Sequence, residues 1–170
     1  MKNSLILPWF CLITISLSGQ SGQLQVGTAC VDVSPTVTPF QLRSGKSSYV
    51  HDPLHVRAVA FKSGEGRAVI CLIDAIGIGR DMSDTAKARA AERTGWNADC
   101  MLICATHTHT APKGGEGMPG REEYEKLKYQ KLEEAIVLAI ESLEPARVGF
   151  SSEDEPSEVR NRRWFLQPGT

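Results

Sequence analysis

The sequence predicts an α/β fold: a mixed, mostly parallel sheet with flanking helices. Three observations carry this expectation. Strand-like and helix-like segments alternate between residues 24 and 154, which favours right-handed crossover units. The strand-like runs are short and strongly apolar, as in a covered sheet. Two of them are joined by "KSGEG", a glycine-containing hairpin loop, and that makes the sheet mixed.

Taken in order, the chain opens on "MKNSLILPWFCLITISLSGQSGQ", with Lys2, an apolar run from Leu5 to Leu17 and small residues at Ser16 and Ser18. The run is too short to span a bilayer and is interrupted by Pro8, so residues 1–22 read as a secretory signal peptide, cut between Ser18 and Gly22. The protein is therefore expected to be exported, periplasmic or extracellular. "LQVGTACVDVSP" alternates through Leu24, Val26, Thr28 and Cys30 and stops at Pro35, a first strand. "LHVRAVAFKSGEGRAVICLIDAIG" supplies two more, and Ala68 to Ala75 is apolar on both faces up to Asp74, as a central strand covered on both sides would be. "RDMSDTAKARAAERTG" is a helix, with Asp81 and Asp84 early, Arg93 late and Gly95 just past the end. The apolar "CMLICAT" is the next strand. A longer helix follows in "REEYEKLKYQKLEEAIVLAIESLE", where Leu132, Ala135, Ile136, Ala139, Ile140 and Leu143 recur at helical spacing and Pro145 marks the stop. "ARVGFSSED" is expected to be a last strand.

Composition narrows the function. The chain has 170 residues, 41% hydrophobic and 23% charged, with a formal net charge of −1, the profile of an ordinary globular protein and not of a nucleic-acid binder. The acidic run "SSEDEPSE" reads as a solvated loop. Without the leader four cysteines remain, Cys30, Cys71, Cys100 and Cys104, with no C-x-x-C pair; buried thiols are favoured over bridges.

The chemistry-bearing stretch is "CMLICATHTHTAPKGG". In an open α/β sheet, ligands gather beyond the carboxyl ends of strands, and His107 and His109 stand at such an exit. If the segment is extended, residues two apart project from one face, so both imidazoles can meet one ion, or one can ligate while the other hydrogen-bonds a substrate oxygen. The threonines then point the other way, where their hydroxyls can satisfy backbone groups. A catalytic zinc uses three protein ligands and an open position. The remaining histidines, His51 and His55, lie in the loop-like "YVHDPLHVR", and Asp74 is either a carboxylate ligand or a turn former, so the third ligand stays open.

The blocks "ACVDVSP", "PLHVRAVAF" with "VICLIDA", "CMLICATHTHTAP" and "NRRWFLQPG" occur in the same order as in the amino-terminal half of the neutral/alkaline, non-lysosomal ceramidase family and its exported bacterial relatives, which the chain resembles from Val26 to Thr170. The most specific element is T-H-T-H followed by a small residue and proline; Thr110 stands where the family usually has serine, and Ala111 takes the small position. The resemblance implies a zinc amidohydrolase that cleaves the N-acyl bond of ceramide. It implies Zn2+ as cofactor, a lipid-like N-acyl substrate as partner, His107 as a zinc ligand, and His109 beside the metal, as second ligand or in contact with the reacting group. Asn161 and Arg162 match an Asn-Arg-Ser block whose arginine lies in the family's active site, so Arg162 is a catalytic candidate; Arg163 replaces the serine. The family's other zinc ligands come from later segments, so residues 23–170 read as the amino-terminal portion of such a domain, inactive alone. Two other readings compete: an exported binding module without catalysis, and a metallohydrolase of another small amide or ester. The polar "KGGEGMPGREE" after the motif weakens the lipid reading slightly, and the ceramide-type N-acyl lipid stays the leading substrate class on the resemblance alone.

Overall fold

The computed structural model describes residues 22–42, 45–112 and 120–157. The proposed signal peptide apart from Gly22, residues 113–119 and the "NRRWF" block therefore fall outside the described residues. Strand β1 (Gln25–Asp32) is followed by a small hairpin of β2 (Phe40–Leu42) and β3 (Gly45–Ser47), then by β4 (His55–Ser63) and β5 (Gly66–Ile73). Helix α1 (Arg80–Thr94) leads to β6 (Met101–Ala105), and helix α2 (Arg121–Glu141) to β7 (Glu144–Pro145).

Five strands form one mixed sheet in the order β6-β5-β4-β1-β7. The expectation of a mixed α/β sheet holds, but a mostly parallel one does not. Only β5 and β6 pair in parallel; β4 with β5, β1 with β4 and β1 with β7 are antiparallel. The reason lies in the connections. A tight turn at Ser63–Gly66 forces β4 and β5 to run in opposite directions, and no helix is found among the described residues between β1 and β4. Among the described elements, only α1 makes the helical crossover that joins parallel neighbours.

Both helices lie on one face of the sheet. Val31, Val56, Ala58, Ala60, Val69, Cys71, Ile73, Met101 and Ile103 from the strands meet Met82, Ala86 and Ala90 of α1 and Leu132, Ala135, Ile136, Val137 and Ala139 of α2 in one core. Ile73, Leu132 and Ile136 are among its largest fully buried side chains, and each contributes about 1.5–3 kcal/mol. The small Ala86 and Ala90 let α1 approach closely, and Arg93 of α1 reaches Glu133 of α2 at 3.0 Å. Gly95 ends α1 in a left-handed conformation (φ 70°), its N–H returning to the Ala91 carbonyl.

No described helix or strand covers the other face. The reading of β5 as a strand covered on both sides is therefore corrected: Val69, Cys71 and Ile73 are buried, whereas Ile70 and Leu72 alternate with them and are exposed, beside Leu102 of β6. Register aligns Thr28, Val59, Ile70 and Leu102 across four strands, and Cys30, Arg57, Leu72 and Cys104 in the next row. Cys30, Cys71, Cys100 and Cys104 are free thiols. Cys71 is buried, and burial first, then the neighbouring Cys104, pushes its thiol up to about 12.

The predicted final strand over "ARVGFSSED" is also corrected. Pairing with β1 is confined to Glu144 and Pro145, and one further bond joins the Ala146 N–H to the Leu24 carbonyl. β1 begins at Gln25, so residues after Ala146 have no strand left to meet. Helix α2 stops at Glu141, before the expected Pro145, because Ser142 leaves the helix to dock on β1: its Oγ accepts from the Thr28 N–H at 3.1 Å.

Candidate metal centre at the β5 and β6 exits

At one end of the sheet β5 and β6 leave side by side, β4 begins and β1 finishes; Ile73 faces Ala105 and Val56, and Asp32 faces His55. The parallel ladder does not end with the strands. The Thr106 N–H donates to the Ile73 carbonyl at 3.0 Å and the Thr108 N–H to the Ala75 carbonyl at 3.0 Å. Between those carbonyls the chain bends tightly at Asp74, where the Ala75 N–H returns to the Ile73 carbonyl at 2.9 Å, a three-residue turn.

His107 sits between the two ladder bonds with φ of 62°, the left-handed region that a non-glycine residue rarely adopts and histidine visits more than most. The expectation of an extended H-x-H segment is therefore corrected. The imidazoles do share one side, with ring centroids 4.9 Å apart and planes at 65°, but the turn at His107 brings them together and not the strand period. Its Nδ1 lies 2.6 Å from the Ile76 carbonyl oxygen. A carbonyl can only accept, so Nδ1 carries the proton and Nε2 of the neutral ring is left with its lone pair. This is the arrangement that presents an imidazole to a metal with its tautomer and orientation already fixed. Both rings are exposed.

The threonines occupy the other side, as expected, but their partner is chiefly a side chain. Asp74 Oδ1 accepts from Thr106 Oγ1 at 3.2 Å, and Thr106 Oγ1 lies 2.7 Å from Thr108 Oγ1. Asp74 Oδ2 accepts from Arg57 Nη1 at 2.8 Å and from the His55 N–H at 2.9 Å. Burial would raise the Asp74 carboxyl, but the Arg57 hydrogen bond, the His55 amide, the charge of Arg57 and the Thr106 hydroxyl together hold it below the ordinary value. With both oxygens engaged, Asp74 is a structural acceptor here and not a spare ligand. His55 is likewise occupied, its Nδ1 lying 3.2 Å from Arg57 Nη2, and His51 packs edge-on to Tyr49 with centroids 6.3 Å apart. Among the described residues no group of three or more His, Cys, Asp or Glu could hold a metal ion. The pair His107 and His109 is thus brought together without a third ligand among those residues, while Arg162 lies outside them.

Sequence reading missed Arg57. The signal was available in the register: an arginine alternating outward on β4 beside Leu72, two residues from Asp74, needs an anion at that strand end. It also missed the β2–β3 hairpin, which with Leu54, Tyr49 and Val50 walls a cavity of about 300 Å³. Thr110, next to His109, lies on its rim. Tyr124 of α2 is buried with no hydrogen-bond partner for its hydroxyl among the described residues, and burial pushes that hydroxyl up.

No protein-family model and no curated protein matches this sequence. Among solved structures, it is similar to the neutral ceramidase from Pseudomonas aeruginosa, with 18% identity and a TM-score of 0.64 over 72% of this chain and 22% of that one. A ceramidase complexed with C2 gives a TM-score of 0.56 at 18% identity over the same shares. The chain spans about a fifth of the length of these enzymes. Its mixed sheet and two helices therefore have the fold of one part of a neutral ceramidase, the family its T-H-T-H block resembles.

Proposed function

We propose that this chain contributes to a zinc-dependent amide hydrolase acting on N-acyl sphingoid lipids of the ceramide type, with His107 and His109 as its share of the metal ligands. One observation carries the reading: the His107 Nδ1 is committed to the Ile76 carbonyl, so Nε2 is free to ligate beside the His109 ring. The fold likeness to ceramidases supports the substrate class.

Zinc held there supplies Lewis-acid polarisation of the amide carbonyl and activation of a water. The residues of this chain do the rest. His107 is oriented by its carbonyl partner and needs no rearrangement to bind. His109, whose ring is held against that of His107, either completes the ligand pair or donates to the oxygen of the scissile amide as negative charge develops there. Arg162 is assigned as a second donor to that oxygen. The apolar lining of the neighbouring cavity, Phe40, Leu42 and Leu54, receives hydrocarbon of the substrate. The protein is exported through residues 1–22, and residues 23–170 form the amino-terminal portion of the catalytic domain. With only two ligands assigned, the chain binds zinc weakly and does not turn over substrate by itself.

The test is zinc content of the chain after mild dialysis, by elemental analysis, with His107→Ala in parallel. Weak zinc uptake that disappears in the variant supports the reading; uptake unchanged by His107→Ala overturns it. The absence of any uptake at millimolar zinc by a folded wild-type chain would favour the binding-module alternative.

A further inference from the structure

We propose that Asp74 is a positioning residue for His107: anchored by Arg57 and the His55 amide, it clamps Thr106 and so holds the left-handed turn that aims the His107 Nδ1 at the Ile76 carbonyl.

The contacts form a chain from Arg57 to Thr108. The Asp74 carboxylate is fixed first, because Oδ2 takes both Arg57 Nη1 and the His55 N–H, and its own N–H donates to the His55 carbonyl at 2.9 Å. It then offers Oδ1 to Thr106. An ionised carboxylate and a carbonyl only accept, so the Thr106 hydroxyl donates toward Asp74 Oδ1 at 3.2 Å, with the Ile73 carbonyl a longer second acceptor at 3.5 Å, and itself accepts from Thr108, 2.7 Å away. The hydroxyls on either side of His107 are thereby locked in one direction. The same residue centres the tight turn that exposes the Ala75 and Ile76 carbonyls to the loop. One takes the Thr108 N–H, the other takes the His107 ring. A non-glycine residue in the left-handed region is strained and persists only where its surroundings over-determine it. The Asp74 clamp on one side and the two carbonyls on the other are that over-determination. The functional meaning of the clamp rests on the metal reading of His107; its geometry and its test do not.

The experiment reads the imidazole tautomer directly, by histidine 15N–1H long-range NMR spectra of the metal-free chain at about pH 8, above the ordinary histidine range. The wild type is expected to show His107 with its proton on Nδ1, unlike the exposed His51. Thr106→Val removes only the bridging hydroxyl and is expected to shift His107 toward the His51 pattern. Thr106→Ser, which keeps the hydroxyl, retains the wild-type pattern. Asp74→Ala should reproduce the valine variant, and combining the two should add nothing further. A wild type with the His107 proton on Nε2, or a folded Thr106→Val variant that keeps it on Nδ1, overturns the proposal. Should Asp74→Ala fail to fold, the Thr106 pair decides alone, since Thr106 is an exposed loop residue. Zinc uptake is scored separately: a locked tautomer without zinc uptake retains the clamp and removes the metal reading, and zinc uptake with a free tautomer does the reverse.

Discussion

Asp74 ties its own protonation to the folded state. Its carboxyl titrates below the ordinary value of about 3.9 when folded, so the stabilisation it provides is present above that value and is lost as pH falls through the folded value. Arg57 is 48% exposed at its side chain, so solvent limits the pair to about 0.5–1 kcal/mol at neutral pH. Urea midpoints measured from about pH 6 to about pH 2, the window around the carboxylate reference value, should fall further for wild type than for Asp74→Asn, and the two curves should converge at the acid end. At this scale the sequence was partly readable. The two histidines and Asp74 were visible because their spacing and strand-end positions are local. The clamp was not, because it needs the register that sets β4 beside β5 and brings Arg57 to Asp74 across 17 residues of chain.

Helix α2 is seated by a missing side chain. A Cβ on Gly27 would collide with the Ala139 carbonyl oxygen and stand 2.9 Å from the Leu143 N, both backbone atoms that have no rotamer to yield. Gly27→Ala should therefore lift the end of α2 off β1 and cost about 1–3 kcal/mol, as overpacking does. Chemical denaturation would show it as a lowered midpoint, and hydrogen exchange would place the loss at Ser142 and Thr28, which share a bond at this seat. Helix α1 was legible almost to the residue: Gly95 stops it for a reason written in one position. The end of α2 was not, since Ser142 is drawn out by Thr28, 114 residues away. The last strand failed for a similar reason: its partner β1 runs out, a fact about another part of the chain.

The sheet has one face packed under the two helices and one that no described element covers. Ile70 and Leu72 of β5 and Leu102 of β6 remain 43%, 37% and 57% exposed, with Val59 and Thr28 completing the row of Ile70 and Leu102. Contiguous apolar surface of this kind invites association. The isolated chain should bind a hydrophobic dye and sediment as larger species with rising concentration. Leu102→Lys should reduce both while shifting folding stability by no more than about 0.5 kcal/mol, the usual size for a surface substitution. Unchanged sedimentation in that variant would locate the association elsewhere. Alternation in β5 was hidden in the sequence because both of its faces are apolar; only the position of the helices tells which one is covered. The same end of the sheet explains how the histidine loop can be exposed and still be exact in its geometry. Because its amides extend the β5–β6 ladder to Thr108, the ordering of those residues is completed during folding. Each residue fixed in this way carries about 1–2 kcal/mol of backbone entropy that would not be lost again on binding of the proposed zinc. The loop behaves as a continuation of the sheet, and its affinity is set by what it meets and not by what it must first become.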